Sequence, residues 1–146
     1  MTQEKQPTQA PGAPRAKQEA YEDIPGTWVF DAQRARKGYH LNEFLYSLMK
    51  DANRKEFRAD ERAYTLKFKM TEEQREAVLQ RAWNRMLELG AVSYALAKLA
   101  FTDGKSYQFM ASRMTGMTEA EYVDMMLKGG RSPEGWRSKS ERRGKS

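Results

Sequence analysis

Apolar residues recur at steps of three and four positions through most of the chain, which is the spacing of an α-helix that buries one face. The first predicted face holds six apolar side chains: Tyr39, Leu41, Phe44, Leu45, Leu48 and Met49. A second, more broken helical region around residues 60–62 holds three aromatic side chains: Phe57, Tyr64 and Phe68. We find no alternation of apolar and polar residues long enough for a β-strand. The pattern therefore predicts an all-α fold.

A third helix is predicted to begin at Thr71, because Thr71 and Gln74 have the spacing of a capping box. Apolar side chains then continue towards Gly90 in two neighbouring rows: Val78, Ala82, Met86 and Leu89, beside Leu79, Trp83 and Leu87. Gly90 either ends this helix or allows a close approach of another element. A further apolar face follows it: Val92, Leu96, Leu99 and Ala100. The residues Thr102, Asp103 and Gly104 are expected to stop that helix.

Two short helices are predicted after residue 104. Ser106 has a hydroxyl that can cap the first, which carries three larger apolar side chains: Tyr107, Met110 and Met114. Thr118 and Glu121 form a second capping box, and the helix that they open is expected to end at the glycines 129–130. Specific turns between short and medium helices are therefore a predicted feature of the fold.

The 146 residues have the length of one compact domain with a modest core. Residues 1–23 are rich in Gln, Pro, Ala and Thr, which predicts a disordered leader. Residues 24–130 form the predicted helical domain. Residues 131–146 form a basic, mostly disordered tail.

Composition excludes several classes of site. The chain has no cysteine, which rules out disulfides, zinc sites built from thiolates and thiol nucleophiles. The first residues lack the apolar stretch of a secretory signal, and no apolar run approaches the length of a membrane span. We therefore expect a soluble, cytoplasmic protein.

The net charge of +6 suggests an alternative function. Residues 131–146 carry six basic and two acidic side chains, so much of the excess lies in the tail. Such a tail can contact nucleic acid or an acidic partner, and a small helical nucleic-acid-binding protein is one hypothesis. A helical scaffold or regulatory domain is another. Against nucleic-acid binding, no recognition-helix pattern appears in the body of the chain.

His40 is the single histidine of the chain. Its position beside Tyr39 and Leu41 on a predicted helix favours a surface or interface histidine over a metal ligand. A non-haem iron site typically needs two histidines and a carboxylate, with open positions for substrate and dioxygen. We therefore predict no metal site of this kind in the chain itself.

Several separated motifs together resemble one enzyme family. Three lie in the second half: Thr102–Phe109 with the core Asp-Gly-Lys-Ser, Met114–Thr118, and Gly129–Gly135. Others lie upstream: Ile24–Thr27, Arg36–Tyr39, Leu41–Asn42, Ser47–Lys50 and Ala59–Tyr64. In this order they resemble the small (α) subunit of protocatechuate 4,5-dioxygenase, a two-subunit extradiol ring-cleaving enzyme. The resemblance covers roughly residues 24–135.

The resemblance implies a non-catalytic subunit that serves as a lid. In that family the Fe(II), its ligands and the catalytic base belong to a larger β subunit, and an (αβ)₂ assembly is typical. It also implies a substrate-entrance segment, made of Asp103, Gly104, Lys105, Ser106 and Tyr107, and a set of partner-interface candidates: Met110, Arg113, Met114, Thr115 and Met117. Tyr107 stands where the family commonly has phenylalanine, so the substrate stays open among protocatechuate, gallate, a methylated gallate and a bulkier catechol.

The residues themselves are compatible with that role. Asp103 and Gly104 allow a sharp, left-handed turn, and Ser106 then caps the next helix. Backbone N–H groups and the Lys105 ammonium would face one small region, which suits a carboxylate such as that of protocatechuate. From periodicity alone, a plain helix–turn–helix with a solvated lysine is the simpler interpretation. The resemblance reverses that preference.

Overall fold

The computed structural model describes residues 28–131. Nine α-helices follow one another along this part of the chain: α1 (Ala32–Lys37), α2 (Tyr39–Ser47), α3 (Asp51–Ala59), α4 (Glu61–Thr65), α5 (Glu72–Leu79), α6 (Trp83–Glu88), α7 (Ser93–Thr102), α8 (Tyr107–Thr115) and α9 (Glu119–Leu127). The described residues contain no strand, and the predicted all-α class is confirmed. The predicted leader and most of the predicted tail lie outside the described residues.

An aromatic cluster joins α2, α3 and α4 on one side of the core. The rings of Phe44, Phe57, Tyr64 and Phe68 contact one another with centroid separations between 5.4 and 6.0 Å. Asp60 separates α3 from α4 because its side chain accepts the Ala63 N–H at 3.0 Å and so caps a new helix. The predicted interruption of this helical region is therefore confirmed.

Two residues of the first predicted face do not lie in the core. Leu41, Phe44, Leu45 and Leu48 are buried, whereas Tyr39 and Met49 are 63% and 61% exposed. Tyr39 lies two positions before Leu41, on the opposite side of α2, and Met49 lies beyond the end of the helix, so neither side chain shares the buried face. The prediction was wrong for these two positions.

The helix predicted to run from Thr71 to Gly90 is instead two helices. The Thr71 capping box is present, with both of its hydrogen bonds at 3.1 Å. However, α5 ends at Leu79, and Arg81 adopts a left-handed φ of +52° before α6 begins. Val78 and Met86 are still both buried, because the break redirects the chain without moving its apolar positions away from the core.

Polar side chains fix the loop that joins α6 to α7. Buried Asn42 donates to the Gly90 carbonyl at 2.9 Å and accepts the Val92 N–H at 2.9 Å. Gln74 donates from its side-chain amide to the carbonyls of Lys37 and Leu89 at 2.9 and 3.1 Å. These bonds satisfy backbone groups that the ends of α1 and α6 and the start of α7 leave without helical partners.

The two short C-terminal helices form as predicted. Thr118 and Glu121 make the second capping box, and Gly129 and Gly130 both adopt positive φ beyond the end of α9. α8 buries Met110 against the core and packs on α9, whereas α9 itself has no buried residue. Within residues 28–131, no helix is both long enough and apolar enough to span a membrane.

Candidate functional site

The turn between α7 and α8 has the predicted geometry. α7 is followed by Asp103 as its C-cap residue, and Gly104 has a left-handed φ of +73°. The Lys105 N–H donates back to the Ala100 carbonyl at 2.9 Å, which closes the turn. Residues 103–106, called the entrance turn below after the role that the resemblance implies for them, therefore occupy a defined position next to the core.

Arg81 holds the first residue of the entrance turn. Its Nε and Nη2 donate to the two carboxylate oxygens of Asp103 at 2.7 and 2.9 Å. Its Nη1 and Nη2 donate to Glu61 at 3.1 and 2.7 Å. Partial burial alone would lower the pKa of the Arg81 guanidinium, but the hydrogen bonds to Asp103 and Glu61 outweigh it and raise that pKa above its usual range.

The sequence motifs pointed to Asp103 but neither to its pairing with Arg81 nor to the pairing of Arg81 with Glu61. Glu61 and Arg81 lie 42 and 22 positions before it in the chain, and nothing in the local pattern pairs these residues. A left-handed conformation at a non-glycine residue costs about 1–2 kcal/mol, so the contacts of Arg81 stabilise a conformation that the residue does not prefer. Contacts of this kind, between side chains of distant segments, become visible only in the tertiary structure.

Ser106 is the last residue of the entrance turn, and two hydrogen bonds fix its side chain. Its hydroxyl oxygen accepts the Phe109 N–H at 3.0 Å, which confirms the predicted cap of α8. The same hydroxyl donates to a carboxylate oxygen of Glu119 at 2.6 Å. The start of α9 is thereby joined to the start of α8, and Glu119 is a second contributor that the motifs did not indicate.

Two cations flank the ring of Phe109 on the outer side of α8. The Lys105 ammonium lies 5.1 Å from the ring centroid, and the Arg113 guanidinium carbon lies 4.9 Å from it. Both contacts are within the range of cation–π interactions. Among residues 28–131 neither cation pairs with a carboxylate, and Tyr107 beside them is 46% exposed. An aromatic, positively charged surface thus borders the entrance turn.

The predicted partner-interface residues, on α8 and just after it, lie in different environments. Met110 is buried, so its side chain supports the helix from below and does not reach the surface of the chain. Met114 is partly buried against the core, and the Thr115 hydroxyl donates to the Ser112 carbonyl at 2.9 Å. Arg113 is exposed, and Met117 is partly exposed. The accessible candidates are therefore concentrated at the end of α8 and just after it.

His40 lies on the surface of α2, with its Nδ1 3.2 Å from a carboxylate oxygen of Glu43. Its side chain is 40% exposed. The part of the chain that the structure describes contains no group of three or more histidine, cysteine, aspartate and glutamate side chains arranged to hold a metal ion. One imidazole beside one surface carboxylate does not fit the two histidines and carboxylate of a non-haem iron site.

Comparison with known proteins assigns this architecture to a family. Residues 41–127 match the family described as "Aromatic-ring-opening dioxygenase LigAB, LigA subunit". The match runs from α2 to the end of α9 and includes the entrance turn. The chain belongs to the LigA family. That description names a subunit of an aromatic-ring-opening dioxygenase.

A curated relative extends the comparison beyond the LigA family description. The chain is 26% identical over 102 residues to a gallate dioxygenase from Pseudomonas putida. That alignment covers 70% of this chain but only 30% of the relative. The region similar to this LigA-family chain is therefore one part of a longer polypeptide in that relative.

Proposed function

We propose that this chain is the small, non-catalytic subunit of an extradiol dioxygenase, which covers the entrance to an Fe(II) site on a larger subunit. The observation that carries the proposal is the LigA-family match over residues 41–127, which spans the entrance turn and the helices that hold it. The same match argues against the alternative of a nucleic-acid-binding protein.

The larger subunit is proposed to supply the iron and the catalytic base. The chain has a single histidine, and its described residues do not fit an iron site. In the gallate dioxygenase of Pseudomonas putida, the matched region shares its polypeptide with a much longer remainder. Since the family description names LigA as a subunit, we infer that the larger subunit corresponds to that remainder.

The proposed contribution of this chain is closure over the substrate. Lys105 lies in the entrance turn, and the exposed Tyr107 follows it at the start of α8. Lys105 and Arg113 both contact the Phe109 ring, and neither cation has a carboxylate partner within residues 28–131. A positively charged, aromatic surface suits an aromatic ring that carries a carboxylate. Covering the ring would exclude water and orient the substrate, which can set turnover although no chemical group is supplied.

The proposed substrate class is a carboxylated catechol. Protocatechuate is the first candidate from the motif resemblance, and the relative's name makes gallate the principal alternative. The Tyr107 hydroxyl adds a hydrogen-bonding group near the ring where the family commonly has phenylalanine, which is compatible with an additional substrate hydroxyl. A methylated gallate or a bulkier diol would be covered by this chain in the same way.

The proposed contact with the larger subunit includes the outer face of α9. Val123, Met126 and Leu127 are exposed on one face at helical spacing, and α9 places no residue in the core. An apolar row of this kind on a helix inside the family match is typical of a surface that a partner covers. Arg113, Met114, Thr115 and Met117 at the end of α8 would extend that contact, in an assembly of (αβ)₂ type.

Purification of the two chains separately and together tests the proposal. The larger chain should retain iron, and this chain should bind none and show no dioxygen uptake with any catechol. Co-expression should give a complex that survives size-exclusion chromatography. If this chain, purified alone, opened a catechol ring with bound Fe(II), the proposed division of roles would be wrong.

A further inference from the structure

Arg81 uses every N–H of its guanidinium in the described structure. Two donate to Asp103, two donate to Glu61, and the fifth donates to the Val78 carbonyl at 2.8 Å. The guanidinium carbon also lies 5.5 Å from the centroid of the Phe57 ring. A guanidinium with all of its donors engaged in a fixed fork has little freedom to move.

The backbone of Arg81 makes this arrangement unusual. Arg81 is the one non-glycine residue within 28–131 that has a positive φ, and it lies between α5 and α6. Its guanidinium bridges α4, which supplies Glu61, and the entrance turn, which begins at Asp103. Residues held in disfavoured conformations by their surroundings are concentrated at functional sites in proteins.

We infer that Arg81 is a positioning residue, which fixes the entrance turn so that Lys105 and Tyr107 are held over the substrate. The inference rests on the proposed function. Asp103 is fixed by Arg81 at one end of the turn, and Ser106 is fixed by Glu119 at the other. The backbone N–H groups of Gly104 and Lys105 donate to α7, but among the described residues neither has a side-chain hydrogen bond of that kind, so the side-chain anchors of the turn lie at its two ends.

The two halves of the Arg81 contact can be tested separately. Asp103→Asn weakens the half that reaches the entrance turn, whereas Glu61→Gln weakens the half that reaches α4. Both variants remove one carboxylate charge from the same guanidinium and retain side-chain volume. Glu61→Gln is therefore a matched control for any general loss of stability. Arg81→Lys keeps the positive charge but loses the planar guanidinium that donates to both carboxylates. It provides a third variant if Asp103→Asn does not fold.

Two measurements on the complex with the larger subunit distinguish positioning from simple stabilisation. Asp103→Asn and Arg81→Lys should raise KM for protocatechuate or gallate by about fivefold or more, because a small misplacement of a positioning group weakens closure. Glu61→Gln should leave KM within about twofold of the unmodified chain. Hydrogen exchange of the Lys105 and Ser106 amides should accelerate in Asp103→Asn and not in Glu61→Gln.

The outcomes separate this inference from the proposed function. If the unmodified chain improves the KM of the larger subunit but Asp103→Asn and Glu61→Gln behave alike in both measurements, the positioning role of Arg81 is overturned and the lid role stands. If the unmodified chain changes neither KM nor kcat of the larger subunit, the proposed function fails, and the positioning role fails with it.

Discussion

Gly38 and Gly90 meet backbone to backbone where the start of α2 passes the end of α6. A β-carbon built on Gly38 would lie 2.0 Å from the carbonyl oxygen of Gly90, well inside van der Waals contact. That oxygen also accepts the hydrogen bond from Asn42. Gly90 has a φ of +101°, so it ends α6, and its lack of a side chain permits the close approach. The sequence analysis offered these two roles as alternatives, and Gly90 has both.

A side chain at this crossing should destabilise the fold. Gly38→Ala is expected to lower the free energy of unfolding by about 2–3 kcal/mol, because the backbone of Gly90 must move to admit the new methyl group. Gly116→Ala is the control: Gly116 has a φ of +73° and open space around its Cα, and its substitution should cost about 1 kcal/mol through backbone strain alone. Urea denaturation measures both. Equal losses in the two variants would contradict the close contact.

Capping residues in the sequence predicted where several of the helices begin. The caps at Thr71, Ser106 and Thr118 depend on side chains within three residues of the backbone N–H groups that they bond. Such contacts form wherever the helix forms, so the sequence suffices to predict them. The turn at Gly104 is local in the same sense, because glycine favours the left-handed conformation that a helix end requires.

Contacts between residues that are distant in the sequence could not be predicted from the sequence. The apolar rows continue through residues 80–82, but α5 ends just before them, and the pairing of Arg81 with Glu61 and Asp103 at this break has no local signal in the sequence. Likewise, Glu119 reaches Ser106 only because α9 packs beside α8. Of the entrance turn, the sequence therefore predicted the shape but not the two side chains that hold it.

The start of α9 should respond to acid. The Glu121 carboxylate accepts the Thr118 backbone N–H at 2.9 Å, and this bond, with a further one from the Thr118 side chain, lowers the pKa of Glu121 from the ordinary 4.5. Because the folded pKa is below the unfolded one, the contribution of this bond is complete above pH 4.5 and is lost as the pH falls through the folded value.

An NMR titration of the Glu121 carboxyl carbon checks this expectation. The midpoint should fall below 4.5 in the folded chain. The acid-induced loss of helix at α9 should be absent from Glu121→Gln, whose side chain does not titrate in this range. A midpoint at or above the ordinary value would mean that the capping bond does not persist in solution.

Tyr107→Phe should change substrate preference and leave the fold intact. The side chain is 46% exposed and lies at the first position of α8, so loss of its hydroxyl should not alter the melting temperature. In complex with the larger subunit, the ratio of kcat/KM for gallate and protocatechuate should shift by about three- to tenfold, which is the effect of one hydrogen bond. Identical ratios for the two versions would show that the hydroxyl does not contact the substrate.

A charge on the outer face of α9 should weaken association with the larger subunit. Leu127 is 82% exposed, and Leu127→Glu should raise the Kd by about tenfold or more if that face is buried in the complex. Leu66→Glu serves as the control, because Leu66 is 60% exposed at the end of α4. Isothermal titration calorimetry gives both values. Equal Kd values for Leu127→Glu and the unmodified chain would show that this face of α9 is not part of the interface.

Whether this chain completes the active site of another polypeptide is tested most directly by titrating it into the iron-loaded larger subunit during dioxygen uptake. Catechol cleavage should rise, or its KM should fall, until the two chains are equimolar and then remain constant. Full activity and unchanged substrate affinity of the larger subunit before any addition would contradict the proposed role.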